Sequence, residues 1–574
     1  LTWQSTWSWW LAPFAALITV GAASQPTVHL LGWFHARLLT PRRLPRLDFT
    51  HGIAESCRTL VVIPTLLRRP EDGSALADGL ELRWLANRDP ALRFALLTDF
   101  GDAPNAEMPG DAEALAGAQR AIAALNQRHG HDGIGPFLLL HRPRRHNPAE
   151  GCWMGWERKR GKLEHLNALL RRGERQHFSI IDGDYGALQG IRYVIVLDTD
   201  TQLPPGSARR LVATMAHPLV HPRHDADGLV TAGHALLQPK VAISSTSAGR
   251  SRFARLSAPD PGIDAYSGVS ADLWQDLCDQ GSFVGKGIYD VVAFDRAVST
   301  RFPDDTILSH DLIEGCHARA GLVSDVALVE DQPASLLADR ARRHRWMRGD
   351  WQIAPWLMPW VRDATGRRVR NHLGLLSRWK ILDNLRRALV PPAVLTLMLV
   401  DLTVGSGGVT CAALAAWWLL TPAVAGALAI PRRADQIRWR VHLKGVGQRF
   451  IAEISGLGLT LILLPGEARL ALHAMVVALW RTHVSGRRRL EWMTSSDAES
   501  LAHSDVVGVY RSLWGCPLVG LGLLTALPFV TTATQATILL LSTLWIAGPL
   551  VAWWLSRPLR HTTAPLSDSA RELV

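Results

Sequence analysis

Two stretches of this chain leave little freedom in how they fold. Val409–Ile430 and Ala536–Leu555 carry no charged residue, and a helix needs about 20 apolar residues to cross a bilayer. Both predict membrane spans. Trp3–Ala23 is a further candidate, with Trp9 and Trp10 placed as interfacial anchors. Ala388–Val404 qualifies marginally, and Leu513–Val530 is slightly short but uncharged. A signal peptide is the rival reading of the first segment. Such a peptide wants basic residues ahead of its apolar run, and no Lys or Arg precedes Arg37.

Basic residues collect on the cytoplasmic side of spans, and the flanks here agree with one orientation. Arg37, Arg42, Arg43 and Arg46 follow the first span, and Arg386 and Arg387 precede the second. Arg432, Arg433, Arg438 and Arg440 follow the third, and Arg557 and Arg560 close the last. The links 405–408 and 531–535 are uncharged and fit outside. Ile451–Trp480 is apolar but contains Glu453, Glu467, Arg469 and His473, with basic clusters at both ends. A single crossing would strand one cluster outside, so helices lying on the cytoplasmic face are expected; a polar-lined span is the alternative. The expected layout is a transmembrane segment at 1–36, a cytoplasmic catalytic domain at 57–385 and a helix pair at 386–430. Interfacial helices at 431–512, a second pair at 513–556 and a cytoplasmic tail at 557–574 complete it. A bacterial inner membrane is the expected location and the lipid bilayer a partner. A start at Leu1 and an end at Val574, soon after an apolar run, suggest a piece of something longer.

The net charge of +11 raises nucleic-acid binding. No basic stripe interleaves with aromatics, and much of the excess flanks the apolar runs, so no nucleic-acid partner is expected. The six cysteines form no CxxC pair, which argues against a disulfide framework or a zinc site.

Between the apolar ends, Leu60–Ile63, Phe94–Leu97 and Tyr193–Leu197 read as buried parallel strands. Helical stretches such as Leu163–Arg172 and Ala208–Ala216 separate them. That alternation predicts an α/β doubly wound sheet, whose ligands bind at the carboxyl ends of the strands. Asp99 ends the second strand, and Asp198, Thr199 and Asp200 end the third. Two carboxylates two residues apart on a turning chain can converge on one hard divalent ion, Mg²⁺ or Mn²⁺; a solvated turn is the plainer reading. Arg158, Lys159, Arg160 and Lys162 cluster with Gly161 at an expected helix start, which suits either a solvated face or phosphate binding. Asp311, in ILSHDLIEG, is either a helix cap beside Ser309 or a general base. Arg342, Arg345 and Trp346, with Trp356 and Trp360 beyond, fit either an interfacial helix or a sugar and phosphate site. Residues 102–150 resemble an insertion with a helix near Ala112–Arg128.

The order Asp99, DTD, Asp311, RxxRW and then membrane helices resembles the processive membrane glycosyltransferases of the GT-A fold. Two departures stand out: His310 precedes Asp311 where the pattern has Thr or Glu, and Arg342 replaces a Gln. The strings ERKRGKLEHLNALL, YVIVLDTDTQLPPGSARRLV, GSFVGKGIYDVVAF, ILSHDLIEG and RRRLEWMTSSDAES resemble more closely the glycosyltransferase domain of cyclic β-1,2-glucan synthases, over about residues 57–500. That resemblance implies a GT-A-like Rossmann-type domain joined to α-helical transmembrane segments. It implies an inverting, metal-dependent polymerisation of glucose from UDP-glucose onto a growing glucan. It implies a nucleotide-sugar site of Asp99, Lys162, Asp198, Asp200, Arg342, Arg345 and Trp346, with Asp198 and Asp200 on the metal and Asp311 as catalytic base. Gly285, Lys286, Gly287 and Tyr289 would shape the acceptor side. The family primes its chain on a protein tyrosine, for which Tyr266, in a polar loop, is the candidate and Tyr289 the runner-up. Family members carry a phosphorylase-like domain after the membrane region. Rival readings are a glucosyltransferase of linear periplasmic glucans and a non-catalytic polysaccharide export protein.

Overall fold

A computed structural model describes residues 12–130, 135–257, 272–403, 408–431, 438–492, 499 and 505–559, without the side chains of Ala36 and Arg37. Its centre is an eight-stranded mixed sheet. From one edge the strands run Gly321–Glu330, Leu236–Ile243, Gly287–Asp290, Tyr193–Val196, Thr59–Leu67, Leu92–Phe100, Phe137–Arg142 and Ile180–Asp182. Thr59–Leu67 pairs in parallel with Leu92–Phe100 on one side and with Tyr193–Val196 on the other. The chain therefore builds outward in one direction and then returns to start the other half beside Thr59–Leu67. The crevice at that reversal is where such a sheet binds ligands. Gly287–Asp290 is wedged in antiparallel between Tyr193–Val196 and Leu236–Ile243.

The predicted strands form because their apolar runs are covered on both faces, as parallel sheets require. Val61, Ile63, Phe94, Leu96 and Ile195 point into one core, and Leu60, Val62, Leu97, Val194 and Val196 into the other. Helices Asp72–Ala86 and Asp111–His129 cover the first face; Gly73 lets them close, since a Cβ there would sit 2.6 Å from the Ala118 nitrogen.

Residues 102–150 are not an insertion. The helix is there, at Asp111–His129, but Phe137–Arg142 is a sheet strand with every residue buried. FLLLHR was overlooked because its polar end, His141 and Arg142, suggests solvent. Both are sealed in the interior by partners, His141 on Thr98 Oγ1 at 2.8 Å and Arg142 on Asp99.

Among the described residues, four helices are long and apolar enough to cross a membrane: Ala12–His35, Val409–Ala429, Trp439–Ser485 and Thr532–Ser556. A fifth would be the pair Val506–Ser512 and Gly515–Phe529, bent by 72° where one uncharged span is expected. The first of these helices overlaps the expected Trp3–Ala23, of which residues 3–11, with Trp9 and Trp10, fall outside the described residues. Ala388–Val404 belongs to helix Leu375–Thr403, which holds Pro391 and Pro392 and is not among the four. Arg432, Arg433 and Arg560 also lie outside the described residues.

Where several interfacial helices are expected over Ile451–Trp480, the structure has one long helix. Trp439–Trp480 is one continuous helix of 42 residues, with Leu463, Leu464, Ala471 and Ala474 buried against its neighbours. The charges that argued for a surface position are neutralised in place. Glu467 pairs with Arg340 and Arg343, and Arg469 donates to the Ser512 carbonyl at 2.9 Å. Nor do Trp356 and Trp360 form an interfacial helix. Trp356 packs in a core cluster with Phe302 and Ile313, and Trp360 opens a hairpin with Arg368–Arg370.

Truncation tests the new strand: Leu139→Ala, at a fully buried sheet position, should cost about 2–5 kcal/mol. Denaturant unfolding of the detergent-extracted protein measures it. A loss under about 0.5 kcal/mol, the size seen at surface positions, would contradict the strand's place in the core.

Candidate active site

Tyr193–Val196 is buried throughout, and the chain emerges from it at Asp198. Arg83 holds the turn that follows, donating from Nε to the Thr201 carbonyl and from Nη2 to the Thr199 carbonyl, both at 2.8 Å. Backbone bonds between Gln202 and Val329 bring the turn against the end of strand Gly321–Glu330. Carboxylate oxygens of Asp198, Asp200 and Glu330 thus come within 4.8 Å of one another.

Two lysines face this group. Lys159 Nζ lies 2.5 Å from Asp198 Oδ1 and 2.7 Å from the Gly285 carbonyl. Lys286 Nζ lies 3.0 Å from Asp198 Oδ2 and also pairs with Glu330. Burial alone would raise the Asp198 carboxyl, yet the two ammonium groups hold it well below the usual carboxylate range. Burial works against the Lys286 ammonium, and Asp198 and Glu330 more than offset it, moving its pKa up. Asp200 has no such cation of its own. Desolvation, then the charges of Asp198 and Glu330, push its carboxyl up. The three carboxylates form an all-oxygen cluster, a donor set that suits a hard divalent cation.

Asp311 opens helix Asp311–His317 on the other side of the crevice. Gly285, at φ 90°, runs directly against it. A Cβ there would sit 2.8 Å from Asp311 Oδ1, so the loop needs glycine both for its conformation and for the approach. Asp311 Oδ1 is buried and has no hydrogen-bond partner among the described residues. Lys159 experiences the field of both Asp198 and Asp311, as does Arg345. Next to the base candidate, His310 Nδ1 lies 2.8 Å from Glu314 Oε2. His310, Asp311 and Glu314 form a second group of closely spaced ligating atoms.

Helix Leu336–Gln352 carries the RxxRW residues. The Arg342 guanidinium stacks on the Trp346 ring at 4.8 Å, and Trp346 is 45% exposed. Arg345 stacks on Trp492, as does Arg158 from across the site, each at 5.7 Å.

Several expected placements change. Asp99 is 1% exposed and held by Arg142 at 2.8 Å from both carboxylate oxygens. Lys162 is buried on the Thr65 carbonyl and lies 3.4 Å from Asp99, so Lys159 rather than Lys162 is the lysine beside the DTD turn. Burial pushes the Lys162 amine down to about 8. Gly161 sits inside helix Arg158–Arg172 and serves close packing, since a Cβ would run into the Trp156 carbonyl. Lys286 joins the DTD side instead of the acceptor side. Gly287 lies in the wedged strand opposite Val196, again away from an acceptor surface. Tyr289 is not on that side either: it is 1% exposed, and its hydroxyl donates to Asn167 Oδ1 at 2.9 Å. It cannot serve as runner-up primer in that position. Tyr266 lies outside the described residues.

Glu330, Arg142 and Arg83 carry no expectation from the sequence, and Lys159 is expected only as one member of the basic cluster at 158–162. Glu330 offered a signal of the kind used for Asp99 and Asp198, a carboxylate closing a strand-like run (GLVSDVALVE).

The architecture is a mixed α/β sheet with a carboxylate cluster at its point of reversal, joined to apolar helices that are candidate membrane spans. Over nearly its whole length the chain is similar to part of a known synthase. It is 36% identical over 559 residues to the cyclic beta-(1,2)-glucan synthase NdvB of Rhizobium meliloti (strain 1021), covering 93% of this chain. The chain spans only 19% of that relative's length. No family model matches. Among solved structures, the mannosyltransferase PcManGT from Pyrobaculum calidifontis, in complex with GDP-Man and Mn2+, aligns over 78% of this chain and 98% of that one. Its TM-score of 0.40 and 17% identity carry no argument about the site.

Buried histidines under the sheet give a pH dependence of stability. Desolvation holds the His141 imidazole down to about 4 against an ordinary 6.5, and His317 likewise to about 4. Between these values the unfolded chain binds protons that the folded chain refuses, so stability falls as pH drops from 6.5 toward 4. Unfolding midpoints at pH 7 and pH 5 should show that loss. His141→Gln, which cannot titrate, should make the difference smaller; an unchanged difference would contradict the assignment.

Proposed function

We propose that this chain is a membrane glycosyltransferase that polymerises glucose from UDP-glucose into a β-1,2-glucan, inverting the donor's anomeric centre. One observation carries the reading: Asp198, Asp200 and Glu330 converge at the sheet's point of reversal, with Asp311 facing them across Lys159 and Gly285. Similarity to a cyclic glucan synthase supports the choice of product.

Asp198, Asp200 and Glu330 would hold Mg²⁺ or Mn²⁺, and the raised Asp200 carboxyl fits that role. When bound, the ion supplies charge neutralisation for the departing diphosphate. Lys159 and Arg345 place fixed positive charge beside that diphosphate. Trp346 and Arg342 receive the acceptor sugar by stacking and hydrogen bonding. Asp311 takes the proton of the acceptor hydroxyl as its oxygen bonds to the anomeric carbon, and the bond to the UDP oxygen breaks. Asp311 Oδ1 lies 3.7 Å from His310 Nδ1 but has no hydrogen-bond partner among the described residues, which supports that role, since a base must keep an oxygen for its proton. Tyr266 remains the candidate primer. The basic flanks support a cytoplasmic catalytic domain at a bacterial inner membrane.

Incubation of membrane-extracted protein with radiolabelled UDP-glucose tests this. Wild type should release UDP and extend labelled glucan, and Asp311→Asn should lower the rate by about 10³-fold. Chelation should abolish activity and Mg²⁺ or Mn²⁺ restore it. Activity that survives exhaustive chelation would reject the metal role, and no UDP release from UDP-glucose would reject the reading.

A further inference from the structure

The helix bearing Arg342, Arg345 and Trp346 has a second face. There Arg340 and Arg343 both bind Glu467, which belongs to the 42-residue helix of the membrane region. Arg343 Nη1 lies 2.5 Å from Glu467 Oε2, and Arg340 Nη2 donates to the Gly466 carbonyl at 3.1 Å. The backbone next to Glu467 is closely packed. A Cβ on Gly466, its neighbour, would meet Cys516 Sγ at 2.9 Å and Leu513 Cδ2 at 3.1 Å.

The contacts continue toward the site. Arg343 Nε donates to Asp339 Oδ2 at 2.8 Å, and Asp339 Oδ1 accepts from Arg342 Nη2 at 2.9 Å. Arg342 in turn lies over the Trp346 ring. An unbroken line of charge-assisted bonds thus leads from Glu467 through Arg343, Asp339 and Arg342 to Trp346. Asp339 is nearly sealed from solvent, so the line runs mostly through a medium that screens little.

Burying so many charges is a poor way to gain stability, because desolvation offsets most of the attraction. It does fix geometry. Asp339 can hold Arg342 against Trp346 only while Arg343 is drawn the other way by Glu467. If Arg343 lost that partner, it would compete with Arg342 for Asp339, and the guanidinium over Trp346 would lose its anchor.

We propose that Glu467 is a positioning residue for the acceptor end of the site: the membrane helix, through this line, sets how well the growing chain is held for attack. The inference rests on the glucosyltransferase reading above. Its signature is the partition between transfer to glucan and loss of the donor to water. A poorly held acceptor lets water compete, so more UDP is released per glucose incorporated. A merely structural defect lowers both rates together and leaves their ratio alone.

The experiment uses membrane-extracted full chain with radiolabelled UDP-glucose, measuring UDP release and glucan label in parallel. In Glu467→Gln the ratio of UDP released to glucose incorporated should rise about fivefold, the scale for residues along a coupling network. The KM for UDP-glucose should stay within about twofold, since no donor contact changes. Glu467→Asp, which keeps the charge, should restore most of the ratio. Asp339→Asn cuts the same line within the soluble domain and should raise the ratio too, which keeps the test open if Glu467→Gln does not fold. An unchanged ratio in Asp339→Asn, or in a folded Glu467→Gln, overturns the inference alone. Absence of UDP release by wild type overturns the glucosyltransferase reading and this inference with it.

Discussion

Asp198 is where the fold and the chemistry meet. A carboxylate at the tip of a fully buried strand is unstable unless something of opposite charge comes to it, and here two lysines do. Lys159 arrives from the helix behind the sheet and Lys286 from the loop before the antiparallel strand. Because each lysine also binds elsewhere, Lys159 to the Gly285 carbonyl and Lys286 to Glu330, the pairings draw three separate segments around one point. Remove the charge at Asp198 and those segments lose their shared anchor. The Asp200 carboxyl, held above its ordinary range by its neighbours, marks the charge that this arrangement leaves uncompensated.

What could be read beforehand was what depends on local pattern. Apolar runs mark three strands, two of them ending in Asp, and the DTD turn, because burial on both faces demands near-continuous hydrophobicity. Asp311 and the RxxRW residues stood out by their order along the chain. Less legible was whatever depended on a distant partner. FLLLHR hides as a strand because His141 and Arg142 are bound by distant partners, among them Thr98 and Asp99, more than forty residues earlier. Lys159 and Lys162 cannot be told apart by spacing; helical phase sends one to Asp198 and the other to Asp99. Tyr289, close to Gly285 in sequence, lies inside strand Gly287–Asp290 and is buried there with its hydroxyl on Asn167, a partner more than a hundred residues earlier.

The same dependence holds for the long apolar helix Trp439–Trp480. A Glu among apolar residues argues for the interface only if it is alone. Glu467 meets two arginines supplied by the soluble domain, about 124 and 127 positions away. Buried charge in a membrane-region helix then becomes a mark of contact between the two parts of the chain.

That helix has a further consequence. At about 1.5 Å per residue, 42 residues extend about 63 Å, twice the roughly 30 Å hydrocarbon thickness of a bilayer. It cannot lie wholly within lipid at any modest tilt. Its later half, from Leu463 to Ala478, is the part packed against protein, while the earlier half is largely uncovered. The helix is therefore a strut: one length is left uncovered, and the other is held both by Arg340 and Arg343 and by the neighbouring apolar helices. Under the membrane reading proposed above, it would hold the sheet's crevice at a fixed height over the bilayer.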